Sequence, residues 1–150
     1  IAVALERHRV HGAIENVWGH LCDDFFTLRY LIDRIDSPWL GVNFDPSHDV
    51  LKGHFDTGWL VRQWGKDRIH HVHLKDAIGV PIKGQFLFPF LGEGRVDWPG
   101  MFAALEAIGY EGYCSIEFES FTYHATVLGG NSEEAARRSL ADIRALLASR

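Results

Sequence analysis

Four times along this chain a short apolar run of β-forming residues closes on an acid or a histidine, and a helix-like stretch follows. The runs are Ile1 to Glu6, Leu40 to Asp45, Ile69 to Lys75 and Tyr113 to Glu119. Between the first two, Phe25, Leu28, Leu31, Ile32 and Ile35 recur at helical spacing until Ser37-Pro38 ends the pattern. Asp56 or Thr57 can cap a second helix, carrying Leu60, Val61 and Trp64 and ending at Gly65. Asp97 before Trp98-Pro99 opens a third with Met101, Phe102, Leu105 and Ile108, and Gly109 stops it. A fourth starts near Asn131 or Ser132 and runs through Leu140, Ile143, Leu146 and Leu147. Strands that alternate with helices pair in parallel, because each helix serves as the crossover that returns the chain to the same end of the sheet.

Strand side chains alternate between faces. Ala2, Ala4 and Glu6 therefore share one face, as do Gly41, Asn43 and Asp45; His71, His73 and Lys75; and Ser115, Glu117 and Glu119. The opposite faces are bulky and apolar and suit packing against helices. In a (β/α) barrel the small, polar faces point inward, and the strand C-termini form the active-site end. Glu6, Asp45, His73 and Glu117 would then converge at one mouth. Three carboxylates and an imidazole suit a divalent ion, with Mn²⁺ first and Co²⁺, Mg²⁺ or Zn²⁺ as alternatives. A single strand-end acid is commonly a salt-bridge partner, but four such residues on four successive strands are harder to explain that way. Parity leaves His71 and Glu119 open as replacements for their neighbours.

Composition bounds the partners. The chain has 150 residues, is 47% hydrophobic and carries a formal charge of -5, which supports one soluble domain with its own core. It shows no basic face for nucleic acid and no apolar run long enough to cross a membrane. Cys22 and Cys114 have no C-x-x-C spacing, so a reducing cytoplasm is expected, with no disulfide. Four β/α units cannot close a barrel of about 250 residues. Because the chain also opens at Ile1 on a strand-like run, residues 1–150 are expected to be a single-domain fragment, the C-terminal half of the barrel. Assembly of the barrel from two chains, or a homo-oligomer, is the alternative.

Val3-Ala4-Leu5-Glu6-Arg7-His8, Asn43-Phe44-Asp45-Pro46-Ser47-His48, His71-Val72-His73-Leu74-Lys75-Asp76, Leu91-Gly92-Glu93-Gly94-Arg95-Val96-Asp97-Trp98, and Gly109-Tyr110-Glu111-Gly112 followed by Ser115-Ile116-Glu117 stand in order along the chain. Together they resemble successive signatures of the sugar phosphate isomerase/epimerase family. The resemblance implies an α/β fold, a xylose-isomerase-like (β/α)8 TIM barrel of which this chain supplies about four C-terminal units. It implies Glu6, Asp45, His73 and Glu117 as metal ligands, with Glu6 and Glu117 also moving a proton as general base or acid. His48, Lys75 and Arg95 are then substrate-binding candidates. The implied reaction is isomerisation or epimerisation of a keto-sugar or cyclitol through an enediolate. The same site could expel a β-hydroxyl as a dehydratase or lyase, and a non-catalytic sugar-binding domain is the alternative of another class. Apurinic-site endonucleases share the barrel, but Phe86-Leu87-Phe88-Pro89-Phe90 stands where they need further ligands. The irregular stretch from Ala77 to Arg95 is long enough to be an active-site loop or lid, with an apolar packing loop over the barrel mouth as the alternative.

Overall fold

The computed structural model describes residues 1–149. Its first element corrects the sequence reading: Ile1 to Glu6 is no strand, and Ala2–His8 forms a helix, α1. Ala2, Ala4, Leu5, Glu6 and Arg7 are all strong helix formers, which outweighs the single β-branched Val3 inside the helix. Arg9, at φ 52, closes the helix in the left-handed region and returns its N–H to Glu6 O. The first strand is β1, Gly12–Glu15.

Helix α2 (Phe25–Ile35) starts where the Asp24 carboxylate accepts the N–H groups of Phe26 and Thr27, and it buries Phe25, Leu28 and Ile32. Strand β2 (Leu40–Phe44) stops at Asp45, which caps the short helix α3 (Pro46–Leu51) that the sequence reading lacked. Helix α4 (Thr57–Trp64), strand β3 (Ile69–Leu74) and helix α5 (Trp98–Ala107) follow their expected signals, with Asp56 and Asp97 as caps. The stretch between β3 and α5 carries a small antiparallel pair, β4 (Ile78–Gly79) and β5 (Phe86–Leu87). Strand β6 (Cys114–Ile116) leads into a second unforeseen helix, α6 (Phe121–Thr126), and α7 (Ser132–Ala148) closes the described chain from its Asn131 cap.

The four long-range strands form one parallel sheet in the order β1-β2-β3-β6. In register, Glu15 stands beside Asn43, Asn43 beside His71, and His73 beside Ser115. One face of the sheet is therefore polar along its length. The other face presents Val42, Phe44, Val72 and Leu74 to Leu28, Ile32, Leu60, Val61 and Met101, all buried in one core. Helices α4 and α5 meet at backbone distance, since a Cβ on Gly58 would lie 2.8 Å from Gly100 O. Burial of that apolar face fixes which side of each strand carries the polar groups, because a one-residue slip would exchange the two faces.

Candidate metal centre

At the C-terminal ends of the four parallel strands, Glu15, Asp45, His73 and Glu117 each offer one ligand atom, and these atoms all lie within 4.8 Å of one another. Glu15 is the last residue of β1, His73 lies in β3, and Asp45 and Glu117 directly follow β2 and β6. Three of the four residues expected from sequence are thus brought together, and the fourth is not. Glu6 sits exposed on α1, and the position expected for it belongs to Glu15. Gly12-Ala13-Ile14-Glu15 repeats the pattern of small or apolar residues ending in an acid, but its four residues are easily passed over beside the longer apolar run that precedes it.

His73 holds the two outer carboxylates together. Its Nδ1 lies 3.2 Å from Glu15 Oε1 and 3.2 Å from Glu117 Oε2. The Glu15 partnership and the Glu117 charge raise the imidazole pKa against the opposing effect of burial. Burial would also raise the Glu15 carboxyl, but its bonds with His48 and His73 and the nearby Lys75 charge outweigh that and hold it far below the usual range. Asp45 is fully buried; its Oδ1 accepts the Ser47 N–H at 2.8 Å, which leaves Oδ2 facing the cluster. Asn43 lays its amide against the His73 ring, with Nδ2 3.2 Å from Nδ1, while its buried Oδ1 has no partner.

Asn16 escaped the sequence reading. Its side chain donates to Asp45 O at 3.0 Å and accepts from Asp45 N at 3.1 Å, so it pins the end of β2 against the end of β1. The same amide donates to Asp49 Oδ2 at 2.9 Å.

The remaining candidates separate. His48, on α3, is buried, with Nε2 3.4 Å from Asp45 Oδ2 and 3.7 Å from Glu15 Oε1. Lys75 is also buried, its ammonium 2.9 Å from Asp45 Oδ2, 2.8 Å from Glu119 Oε2 and bonded to Glu117. Burial lowers the Lys75 pKa, but these carboxylates more than offset it and the net shift is upward. His71 bonds Ser115 Oγ at 3.0 Å through Nε2, and neither it nor Glu119 is among the four converging donors. Arg95 is exposed and stacks on Phe55, 4.2 Å from the ring centre. Asp76 anchors the loop over the mouth: its carboxylate accepts from the N–H groups of Ala77, Gly92, Gly94 and Val96 and from Trp98 Nε1.

That loop walls a cavity of about 560 Å³ lined by Trp18, Phe86, Leu87, Phe88, His48 and Glu119, the last two of which contact the cluster or its lysine. Its size and its mixture of aromatic walls with few polar groups suit a small organic ligand. The donor set fits a divalent ion: three carboxylates and one imidazole converge, and the most buried carboxylate directs an oxygen toward the others.

The model of the xylose isomerase-like TIM barrel family matches residues 1–146. An inosose dehydratase from Geobacillus thermodenitrificans is 33% identical over an alignment of 104 residues that covers 59% of this chain and 34% of that protein. The structure of the IolI protein with a bound zinc atom superposes with a TM-score of 0.81 at 18% identity, over 99% of this chain and 52% of that one. An L-ribulose 3-epimerase structure superposes with a TM-score of 0.70 at 24% identity, over 99% and 50% of the two chains. This chain therefore spans about a third of the dehydratase and about half of each of these two structures.

Proposed function

Because this chain belongs to the xylose isomerase-like TIM barrel family, we propose that it supplies the metal-holding half of an isomerase or epimerase acting on a keto-sugar or cyclitol. The observation that carries the reading is the convergence of two carboxylates, Glu15 and Glu117, on one nitrogen of His73, each 3.2 Å from Nδ1. Glu15, Asp45, His73 and Glu117 would hold the ion. A divalent ion there supplies Lewis acidity, polarising a substrate carbonyl so that the neighbouring C–H becomes acidic. Mn²⁺ is the first ion to test, and the zinc held by the IolI neighbour puts Zn²⁺ beside it.

The chain's own groups supply the proton transfer. Glu15 is held ionised by His48, His73 and Lys75, and a carboxylate accepts a proton only in that form. Glu117, the second carboxylate at His73 Nδ1, would deliver a proton once it has taken one from solvent: to the opposite face of the same carbon in an epimerisation, or to the adjacent carbon of an enediolate, with the hydroxyl proton passing to the former carbonyl oxygen, in an isomerisation. Glu15 takes the general-base role that the sequence reading gave to Glu6. His48, buried between the ligands and the cavity, offers a hydrogen bond to a substrate oxygen. The aromatic walls exclude water from the carbanion-like intermediate.

A dehydratase is the second reading, favoured by the 33% identity with the inosose dehydratase; there the same carbanion expels a β-hydroxyl. No helix among the described residues is long and apolar enough to cross a membrane, and both cysteines are free, which supports a cytoplasmic setting. The test is a screen of keto-sugars and cyclitols with Mn²⁺ in deuterated water. Solvent deuterium should enter the carbon next to the carbonyl of any accepted substrate, and its complete absence would sink the proposal. Net loss of water from the product would select the dehydratase.

A further inference from the structure

Among the described residues, Lys75 is the one lysine or arginine bonded within the cluster of Glu15, Asp45, His73, Glu117 and Glu119. Its ammonium has three protons and three carboxylate partners: Asp45 at 2.9 Å, Glu119 at 2.8 Å, and Glu117. Phe88 covers it at 4.8 Å from the ring centre and His48 Nε2 stands 3.3 Å away, so the group is sealed from water. Two of its three acceptors, Asp45 Oδ2 and Glu117 Oε2, belong to residues of the candidate metal set. The third, Glu119, does not. An ammonium and a divalent ion a few ångströms apart repel, and both seek the same carboxylate lone pairs.

We infer that Lys75 is an internal counter-cation of the metal centre, which shares Asp45 and Glu117 with the ion and retains Glu119 as its acceptor when an ion takes those two carboxylates. The inference rests on the metal-centre reading above. It assigns Glu119 a distinct job: it is the acceptor that keeps the displaced ammonium bonded and buried, where a bare buried charge would be costly. It also assigns a purpose to the crowding of Glu15, Asp45, Glu117 and Glu119 in one small volume. Without Lys75 the metal-free cluster has only the histidines to offset four carboxylates, and with it the affinity for the ion is tempered. Lys75 is thus a positioning residue for the ligands, acting on the ion by competition.

The test is direct titration of Mn²⁺ into the chelator-treated full-length protein by calorimetry, with Mn²⁺ electron paramagnetic resonance as a second readout. Lys75→Met should bind Mn²⁺ roughly tenfold more tightly or better, because both the competitor and the repulsion are gone. Glu119→Gln should bind it more weakly, since the ammonium then keeps no carboxylate that the ion leaves free. In the Lys75→Met background Glu119→Gln should lose most of its effect, a non-additivity that a merely structural role would not produce. Metal-free Lys75→Met should melt below the metal-free wild type, with the gap closing at saturating Mn²⁺; if that variant does not fold without the ion, Lys75→Gln and Glu119→Gln carry the same comparison. Equal or weaker Mn²⁺ binding by the neutral Lys75 variants, with the wild type binding one ion, overturns this inference and leaves the metal centre standing. Absence of Mn²⁺ binding by every variant and the wild type overturns both.

Discussion

Replacing Asp76 by Asn changes one atom of a buried side chain and should cost more than most core truncations. Oδ1 accepts the N–H groups of Ala77 at 2.9 Å and Val96 at 3.1 Å, both buried; Oδ2 accepts Gly92 N at 2.9 Å, Gly94 N at 3.0 Å and Trp98 Nε1 at 3.0 Å. An asparagine has one acceptor oxygen. Its better orientation keeps the three bonds at Oδ2 and turns an NH₂ toward the N–H groups of Ala77 and Val96, donor against donor. Two hydrogen bonds to a charged acceptor are lost, each worth about 1.5–3 kcal/mol, for a total of about 3–6 kcal/mol. That is a large share of the roughly 5–15 kcal/mol that holds a domain together. The pocket cannot readjust by moving the loop inward, because a Cβ on Gly94 would already lie 2.0 Å from Asp76 Oδ1. Urea unfolding of the full-length protein, followed by tryptophan fluorescence, measures the difference if the slope with denaturant is unchanged. A loss below about 1 kcal/mol would refute the account of Asp76 as the loop's anchor.

Two further outcomes follow from the site. Glu15→Gln should weaken Mn²⁺ binding by at least about 100-fold, the upper range for loss of a supporting group. Glu6→Gln, on the exposed face of α1, should leave binding within about twofold; the reverse ranking would restore the sequence assignment. Asp49 gives a pH signature. Burial raises its carboxyl to about 8, against the opposing Lys52 charge and with help from Asp45, Asp24 and Asp23. Its Oδ1 has no partner, while Oδ2 accepts from Asn16. An acid whose folded pKa is raised binds its proton more tightly when folded, so stability falls as pH rises from about 4 to about 8. Asp49→Asn should match the wild type near pH 4 and exceed it by at least about 1 kcal/mol above pH 8, or about 2–4 °C in Tm. Thermal melts at the two pH values check this, and a constant difference between them would contradict it.

Much of this arrangement was legible locally. Val42 and Phe44 alternate with Asn43 and Asp45, and Val72 and Leu74 with His73, so period-two patterning alone puts Asp45 and His73 on the polar face. The caps Asp56, Asp97 and Asn131 mark their helices because each carboxylate or amide satisfies a free N–H in the first turn. What those signals share is range: each is settled by residues within a turn or a strand length.

The tertiary structure decided the rest, because the deciding contacts lie far apart in the chain. Ile1 to Glu6 and Gly12–Glu15 both read as an apolar run ending in glutamate. Only pairing of Gly12–Glu15 with Leu40–Asn43 selects Glu15, since that register lays its carboxylate beside His73, 58 residues on. The preceding segment, with no partner strand, takes the helix its composition favours. Lys75 follows the same rule. Sequence set it two residues after His73 on the inward face, but its three carboxylates come from two distant segments, Asp45 at the end of β2 and Glu117 and Glu119 after β6. Chain patterning fixes which face a side chain occupies; which charges share that face is set when the sheet closes.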